Sequence, residues 1–461
     1  MKNKVKFAII GAGSVSFCPA TVADILLSPQ FKELDEVEIY LMDIRQEALD
    51  VSRGFCEKFA ERLGRKPVIR SSMNLTEAVY GADFVITAVE SNRYHYWSQD
   101  FHIPRRYGFR QIFGENGGPG GMFHALRNLP PMLNIAHEME RGCPDAWILN
   151  YSNPEAKLVE GISNLSKIKA VGLCHGEIMG IHQVAELLQM PAERIGVAPV
   201  GLNHFGWFTR IWDKETGEDL YPKLHEQEKK ADILANWDYY GLARFMLRTY
   251  GLWCYPGTNH FGEYFAWSDT FFAGSCIQYH FDPAMENPWE TKKPPKFVYS
   301  FSSRITGKKL FPDEDTPTGD AQYQEHFNPD TRGDTPSNEY GIAIAEAIFF
   351  DKTTEIGAVN MPNKGYAPNL PEGMVIELPA TVDGKGIHPK KCDPLPTAVA
   401  AMIATQGAIH KLVIEAYCEK SRKKLLQAVL LDPTVSNYNN AVAMINELCE
   451  MQKDILPPLH W

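Results

Sequence analysis

The sequence predicts an α/β fold: a Rossmann-like, doubly wound parallel sheet followed by a second domain of mixed α+β structure. In the N-terminal third, short apolar segments typical of buried parallel strands alternate with segments of helical character. The strand-like segments are residues 5–10, 37–42, 84–89 and 146–149, and the helical ones include residues 20–27 and 46–63. A glycine-rich turn directly after the first apolar segment completes the βαβ signature of such a sheet.

Length and composition indicate a globular protein with a full hydrophobic core. The chain has 461 residues, 44% of them hydrophobic, so we expect two domains, residues 1–200 and 201–461. A net charge of −11 without a basic stripe argues against nucleic acid or an anionic membrane as a partner. The apolar start ends at Gly11, too early for a secretion signal, and no run approaches the roughly 20 apolar residues of a membrane span. Nine scattered cysteines form no disulfide framework, so we expect a cytoplasmic protein.

The glycine turn has the pattern of a dinucleotide site. Gly11, Gly13 and Ser14 lie between a strand and a helix, where glycine permits close approach to a pyrophosphate at the helix N-terminus. Asp43 ends the second strand, where an acidic residue would bind the ribose hydroxyls and repel a 2′-phosphate. The third glycine of the usual fingerprint is Ser16, and a turn that serves only packing is the alternative. The pattern favours NAD over NADP.

Two residues far downstream are candidate metal ligands. Cys174 follows the apolar segment 170–173, so its thiol is predicted at a carboxyl end of the sheet, where open α/β folds bind ligands. A buried, inert cysteine is the alternative. His204 offers an imidazole that can join the thiolate, and two protein ligands leave open positions for substrate and water. The pair predicts a catalytic divalent ion, since a structural zinc needs four ligands.

Further segments join these motifs along nearly the whole chain. They are residues 11–14 (GAGS), 114–121 (GENGGPGG), 150–154 (NYSNP), 174–176 (CHG), 203–205 (NHF), 260–264 (HFGEY), 369–371 (NLP) and 375–379 (VIELP). In this combination the chain resembles glycoside hydrolase family 4, the NAD- and manganese-dependent glycosidases. The resemblance implies NAD and Mn²⁺ as cofactors and a fold like that of lactate and malate dehydrogenases.

The resemblance also implies an unusual route to hydrolysis, because this family departs from the two-carboxylate scheme of most glycosidases. NAD would oxidise the sugar at C3, which acidifies the proton at C2. A base would remove that proton, the aglycone would leave by elimination, water would add, and the cofactor would return its hydride. The net reaction consumes no NAD.

By the same resemblance, Cys174 and His204 would hold Mn²⁺ against the sugar's C2 and C3 oxygens. His175 occupies the family position of the acid that protonates the glycosidic oxygen, and its ordinary pKa near 6.5 suits that task. Asn153 would hydrogen-bond sugar hydroxyls; an Asx turn or helix cap is the alternative.

Three residues are candidates for moving other protons. Tyr264 aligns with the family's tyrosine base for C2, and His260 competes with it for that role. Glu115, in the glycine-rich loop 114–121, is either a proton shuttle or a solvated loop carboxylate.

Substrate choice depends on finer signals. Residues 174–176 (CHG) resemble the uronic-acid subgroup, the α-galacturonidases and α-glucuronidases, with the galacturonide preferred. A sugar carboxylate favours an arginine fork, for which Arg93 is the candidate, against an ordinary surface position. A neutral-sugar α-glucosidase or α-galactosidase of the same family is the nearest alternative. A simple NAD-dependent dehydrogenase and a non-catalytic sugar- or NAD-binding protein are the others. The resemblance also predicts a homodimer or homotetramer.

Overall fold

A computed structural model describes residues 3–231, 239–271 and 327–461. Within these ranges one mixed sheet of twelve strands crosses the molecule, in the order β3-β2-β1-β4-β5-β6-β10-β11-β7-β8-β9, with β12 paired to β11. The strands are β1 (Lys4–Ile10), β2 (Glu36–Met42), β3 (Val68–Ser72), β4 (Phe84–Thr87), β5 (Trp147–Asn150), β6 (Lys169–Gly172), β7 (Ile195–Leu202), β8 (Phe205–Asp213), β9 (Trp253–Tyr255), β10 (Thr354–Pro362), β11 (Val375–Asp383) and β12 (Gly386–Pro389).

The first six strands are parallel and form the doubly wound half of the sheet. Side chains alternate between its two faces. Phe7 and Ile9 pack into one apolar cluster, whereas Ala8 and Ile10 pack into another. Because both faces of β1 are buried, the strand is almost continuously apolar in sequence.

Helices cover both faces of this half. The described helices are α1 (Cys18–Leu27), α2 (Gln46–Arg62), α3 (Leu75–Val79), α4 (Arg93–Arg106), α5 (Gly118–Gly142), α6 (Glu155–Leu165), α7 (Gly176–Leu188), α8 (Tyr221–Lys230), α9 (Gly241–Tyr250), α10 (Thr258–Phe261), α11 (Gly341–Phe349), α12 (Thr397–Glu419), α13 (Arg422–Leu431) and α14 (Tyr438–Met451). Residues of α1, α2 and α11 pack on one face, and residues of α3, α5 and α6 on the other.

The sheet continues in antiparallel fashion beyond β6. Asn360 of β10 pairs with Gly172 of β6, and Glu377 of β11 pairs with Gly201 of β7. A third apolar cluster forms between this part of the sheet and helices α7 to α9, and a fourth joins α5 with the C-terminal helices α12 to α14. The turns after β1, β4, β5 and β6 therefore lie along one edge of the parallel half, beside the antiparallel half.

The sequence-based fold class is confirmed, and the ends of the predicted strands and helices shift by one or two residues. Strand β4 ends at Thr87, two residues before the predicted end of the segment 84–89. Beyond Thr87 the N–H of Val89 bonds the hydroxyl oxygen of Ser152 at 2.7 Å instead of a strand neighbour. Because the strand ends at Thr87, the backbone of Ala88 and Val89 passes close to Gly11 before the chain reaches the site described below. The division of the chain into residues 1–200 and 201–461 stays a prediction.

Among the helices of the described ranges, α12 is long and apolar enough to cross a membrane by length and composition. It packs against α5, α6 and α13, and its side chains Ile403, Ile409 and Val413 are buried. Half of its most apolar window lies inside the fold, as in a core helix.

Candidate active site

The glycine turn after β1 holds the backbone in a conformation that only glycine accepts easily. Gly11 has φ +85°, and a Cβ at this position would lie 2.3 Å from the carbonyl oxygen of Ala88. The N–H groups of Gly11 and Ala12 both donate to the carbonyl of Met42. The carboxylate of Asp43 accepts the N–H of Gly13 at 2.8 Å. The predicted cofactor residues thus form one unit at the ends of β1 and β2, with Ser14 N–H bonded back to Gly11.

A second group of polar side chains lies among the turns at the same edge. One potential ligand atom from each of Glu115, His204, His260 and Glu263 lies within 4.8 Å of the others. We call these four residues the His–Glu cluster. The two imidazole rings are 4.3 Å apart between centroids, and both face the Glu115 carboxylate, with Nδ1 to Oε2 distances of 3.8 and 4.0 Å.

The cluster is held in place by one buried carboxylate. Oε2 of Glu263 accepts three successive backbone N–H groups, those of Glu115, Asn116 and Gly117, at 2.8 to 2.9 Å. These donors precede helix α5, so the carboxylate also lies near the positive end of the helix. Burial, together with the charge of Glu115, nonetheless raises the pKa of Glu263 to about 8. Glu263 fixes the loop that carries Glu115.

His204 occupies a left-handed backbone position, φ +62°, in the tight turn between β7 and β8. Its Nδ1 accepts a hydrogen bond from the side-chain amide of Asn116 at 2.9 Å. Burial and the neighbouring His260 lower the pKa of His204 well below its usual value, and burial also lowers the pKa of His260. Both imidazoles are therefore neutral near pH 7, the form that binds metals.

Arg93 connects the cluster to a further carboxylate. At the start of α4, its guanidinium bonds Glu115 through Nη2 and Glu90 through Nη1, and it stacks over Trp97. Burial opposes ionisation of Glu115, but the Arg93 guanidinium outweighs it and lowers the pKa of Glu115 to about 2. Glu90 is also bonded by His124 at 2.7 Å, and this imidazole reaches the backbone oxygen of Glu115 through its other nitrogen.

The ion pairs of Glu90 predict a measurable effect on acid stability. Burial opposes ionisation, but His124 and Arg93 lower the pKa of Glu90 to about 2, below the ordinary value of 4.5. The resulting stability is present above pH 4.5 and is lost as the pH falls toward 2, to a maximum of about 2–3 kcal/mol. Denaturant unfolding between pH 7 and 3 measures the free energy of unfolding of the wild type and of Glu90→Gln. We expect the difference between the two free energies to become smaller as the pH falls.

The control for that prediction is Glu36→Gln, since Glu36 forms a surface pair with Lys4. Exposed pairs contribute little to stability, so this variant should follow the wild type at every pH. A difference in the free energy of unfolding between wild type and Glu90→Gln that stays constant down to pH 3 would contradict the stabilising role of the Glu90 ion pairs.

Cys174 and His175 lie just beyond β6. Cys174 is partly exposed; burial of its sulfur and the charge of Glu377 raise the pKa of its thiol. The side chain of His175 is half exposed and bonds Glu339 at 3.0 Å. That hydrogen bond raises the pKa of His175, which keeps the imidazole protonated closer to neutrality, as a proton donor requires.

The remaining two candidates border the cluster from different sides. Asn153, beyond β5, is partly exposed, and its side-chain oxygen accepts a hydrogen bond from the side-chain amide of Asn116 at 3.4 Å. Tyr264 is buried: its ring stacks on Phe205, and its hydroxyl donates to the carbonyl oxygen of Asn203 at 3.2 Å. Burial and the charges of Glu263 and Glu115 raise its pKa well above 10.

Comparison with known proteins gives this arrangement a family. The models for "Family 4 glycosyl hydrolase" and "Family 4 glycosyl hydrolase C-terminal domain" match residues 6–190 and 199–435. The chain belongs to family 4 of the glycosyl hydrolases.

Relatives in the family differ in the sugar that they cleave. The chain is 30% identical to an alpha-glucosidase of Erwinia rhapontici, over 97% of this chain and 96% of that protein. An alpha-galactosidase of Bacillus subtilis is 29% identical, over 98% of this chain and 99% of that protein. An alpha-galacturonidase of Thermoanaerobacter italicus is 26% identical, over 98% and 97%.

Solved structures agree on the fold. A 6-phospho-alpha-glucosidase from gut microorganisms, in complex with NAD and Mn²⁺, superposes with a TM-score of 0.78 at 23% identity, covering 99% of this chain and 100% of that one. A malate dehydrogenase of Plasmodium falciparum reaches 0.50 at 11% identity, covering 92% and 99%. The expected likeness to family 4 and to the malate dehydrogenase fold is therefore confirmed.

The His–Glu cluster contains three of the sequence-predicted site residues and adds one that the sequence did not indicate. Glu115, His204 and His260 meet in one cluster, whereas the glycine turn forms a separate unit joined to it through the segment from Ala88 to Arg93. Sequence reasoning missed Glu263, Asn116 and Glu90. The first two lie inside the quoted segments 260–264 and 114–121, so their position there was the available signal; Glu90 had none.

Proposed function

We propose that this family 4 glycosyl hydrolase cleaves α-linked glycosides of uncharged hexoses, with NAD and Mn²⁺ as cofactors. The observation that carries the sugar class is the pairing of Arg93, whose guanidinium is bonded by both Glu115 and Glu90. A further carboxylate, that of Glu339, bonds His175. A sugar carboxylate would have to displace Glu115 from Arg93 and lie beside the ionised carboxylates of Glu115 and Glu90.

A uronide remains the second candidate because of residues 174–176 (CHG), which resemble the uronidase subgroup. The similarity to an alpha-galacturonidase supports it, although the neutral-sugar relatives are slightly more similar. In that case Arg93 would release Glu115 and bind the sugar's carboxylate. The two candidates therefore differ in the partner of one guanidinium.

The glycine turn fits NAD on the evidence of its backbone. The space beside Gly11 is too small for a Cβ, and the Asp43 carboxylate, oriented by Gly13 and Arg45 N–H groups, stands at the end of β2. The turn leads into α1, which begins at Cys18. Such a turn presents backbone to a pyrophosphate and a carboxylate to a ribose.

The His–Glu cluster and Cys174 fit a divalent cation. Two neutral imidazoles and an ionised carboxylate converge there, and Nδ1 of His260 has no hydrogen-bond partner. Cys174 and His204 are the ligands that the family resemblance implies. Bound NAD would supply a hydride acceptor at C3, and bound Mn²⁺ a Lewis acid for the charge that develops on the sugar's oxygens.

The chain's own residues would bind the sugar and move its protons. Asn153 would donate to sugar hydroxyls. His175, whose pKa is raised by its hydrogen bond to Glu339, would protonate the glycosidic oxygen. Tyr264 would take the proton from C2. Burial and the charges of Glu263 and Glu115 raise its pKa well above 10, and a divalent cation bound nearby would lower it.

The test is release of nitrophenol from a panel of α-linked substrates: glucoside, galactoside, galacturonide and glucuronide, each with NAD, Mn²⁺ and a thiol reductant omitted in turn. We expect cleavage of a neutral hexoside that requires NAD without net accumulation of NADH. The same panel with Arg93→Gln should lose turnover of neutral sugars, because Glu115 loses its counter-charge.

Cleavage of a uronide and of no neutral hexoside would overturn the proposed sugar class and support the second candidate, a uronidase. Substrate-driven accumulation of NADH without nitrophenol release would instead indicate a dehydrogenase and overturn the proposed reaction. The cytoplasmic location, the homodimer or homotetramer and the absence of nucleic-acid or membrane partners stay predictions.

A further inference from the structure

We propose that Lys157 is a positioning residue: its buried ammonium fixes the backbone of Asn116, so that the side-chain amide of Asn116 keeps Asn153 in place for the sugar. The inference deepens the proposed function and rests on it for the class of the ligand, a sugar with free hydroxyl groups. Lys157 itself contacts neither sugar nor cofactor in this scheme and acts through Asn116.

Helix α6 carries charged side chains in the interior of the fold. Glu155, Lys157 and Glu160, all in its first two turns, are between 1% and 3% exposed. Lysine is almost never fully buried unless it is paired, because a buried charge costs free energy without partners. Lys157 must therefore find its partners inside the protein.

The partners of Lys157 are a backbone oxygen and a group of carboxylates. Its Nζ donates a hydrogen bond to the carbonyl oxygen of Asn116. Burial lowers the pKa of Lys157 to about 8, and this shift is opposed by the charges of Glu263, Asp432 and Glu160. The amine is therefore mainly protonated at pH 7 and presents a charged donor to Asn116.

Both backbone polar groups of Asn116 are bonded by buried side chains. Its N–H donates to Oε2 of Glu263 at 2.8 Å, and its carbonyl oxygen accepts from Lys157. The two side chains come from separate segments, Glu263 from the turn after α10 and Lys157 from α6. The peptide units on either side of Asn116 can therefore rotate only if one of these bonds breaks.

The side-chain amide of Asn116 lies among candidate site residues. Its Nδ2 is 2.9 Å from Nδ1 of His204, and 3.4 Å from both Oδ1 of Asn153 and Oε2 of Glu115. Asn153 is also fixed through its backbone, because its carbonyl oxygen accepts the amide of Asn128 at 2.7 Å. A rotation of the Asn116 backbone would move this amide away from Asn153.

Lys157 and Asn153 are close in sequence, which closes a ring of contacts. Asn153 precedes α6, and Lys157 lies in the first turn of that helix. The hydrogen bonds from Lys157 to Asn116 and from Asn116 to Asn153 thus connect the loop before α5 twice to the same short stretch of chain. This ring sets the distance between the loop and Asn153, and an error of about 1 Å in such a distance can lower a rate about 100-fold.

The first test measures hydrogen exchange in the full-length protein without substrate, by mass spectrometry of fragments that contain residues 114–122. Lys157→Met removes the charge and the donor but keeps an unbranched side chain of similar length. We expect the amides of Glu115, Asn116 and Gly117 to exchange at least about tenfold faster, because local opening of the loop no longer breaks the bond to Lys157. No turnover is involved, so failure of the proposed glycosidase reaction leaves this readout intact.

Ile162→Ala is the matched control. Ile162 lies on the same helix and packs in the apolar cluster against the parallel sheet, so its truncation destabilises the fold at a different place. Exchange at residues 115–117 should stay within about twofold of the wild type in this variant. Wild-type exchange in folded Lys157→Met would overturn the proposal, and so would an equal acceleration in Ile162→Ala. Lys157→Gln, whose amide is one bond too short to reach Asn116, takes the place of Lys157→Met if that variant does not fold.

The second test is turnover of the nitrophenyl glycoside that the wild type cleaves. We expect Lys157→Met to lower kcat/KM about 100-fold at a temperature at which it is folded, with a raised KM for the glycoside and unchanged NAD affinity. Ile162→Ala should stay within about threefold. Faster loop exchange in Lys157→Met with kcat/KM within threefold of the wild type would overturn the positioning role. If the wild type cleaves no glycoside, the proposed function fails, and hydrogen exchange alone decides whether Lys157 fixes Asn116.

Discussion

His204→Asn is expected to lower kcat/KM for the cleaved glycoside by at least about 1,000-fold while leaving the fold intact. The imidazole belongs both to the predicted metal pair and to the His–Glu cluster, so its loss removes the ion in either case. A Lewis acid contributes several kcal/mol to stabilising developing charge, and each 1.4 kcal/mol corresponds to a factor of ten in rate. Asparagine is chosen because it tolerates the left-handed backbone, φ +62°, that His204 adopts.

Two comparisons isolate the chemistry from the backbone. Gln189 has φ +52° at the C-terminal end of α7, outside the described site, so Gln189→Asn applies the same kind of change where no activity should be lost. His204→Ala should lose activity equally but unfold at a lower temperature than His204→Asn, since alanine is strained in this conformation by about 1 kcal/mol. Activity within tenfold of the wild type in His204→Asn, with metal still bound, would remove His204 from the site.

The fold was predictable because its signals are local. Buried strands such as β1 are apolar along their whole length, and the turn at Gly11 follows directly in sequence. The position of Cys174 at a strand end followed from the same pattern, since parallel strands align their carboxyl ends. Each inference needed only a window of about ten residues and the general topology of α/β sheets.

The chemistry of the site was less predictable because it depends on pairings between distant segments. Nothing in the sequence near Glu90 or Arg93 shows that both side chains converge with Glu115, 22 residues beyond Arg93. From the sequence alone, Arg93 is therefore predicted to bind a carboxylate of the substrate. In the structure the Arg93 guanidinium is already bonded by Glu90 and Glu115. For this reason the proposed substrate is a neutral sugar and not a uronide.

Glu263 illustrates the same limit for a buried carboxylate. It stands between two residues that were singled out, His260 and Tyr264, yet its function depends on three N–H groups of a loop 146 to 148 residues earlier. A helix-like spacing could have placed His260 and Glu263 on one side. Only the tertiary structure shows which loop they face.

Gly11→Ala should weaken NAD binding by at least about 100-fold. The new Cβ would meet the Ala88 carbonyl oxygen at 2.3 Å, and alanine would also be forced to φ +85°. Strain of this kind and backbone overpacking each cost about 1–3 kcal/mol, so the turn must shift to relieve them. A site that binds through backbone N–H groups loses affinity when those groups move, and about 2.8 kcal/mol corresponds to 100-fold.

Gly54→Ala is the matched control for calorimetric NAD titration and thermal unfolding. Gly54 lies within helix α2, and a Cβ there meets no atom within 4 Å, so this substitution should raise stability by up to about 1 kcal/mol and leave NAD affinity unchanged. The contrast separates a glycine required by close approach from one that only lowers helix propensity. NAD affinity in Gly11→Ala within threefold of the wild type would place the cofactor elsewhere.

Because Ala88 begins the segment that leads to Glu90 and Arg93, the shift of the turn in Gly11→Ala should also disturb the ion pair between Arg93 and Glu115. We therefore expect Gly11→Ala to weaken Mn²⁺ binding as well, by a smaller factor than the loss for NAD.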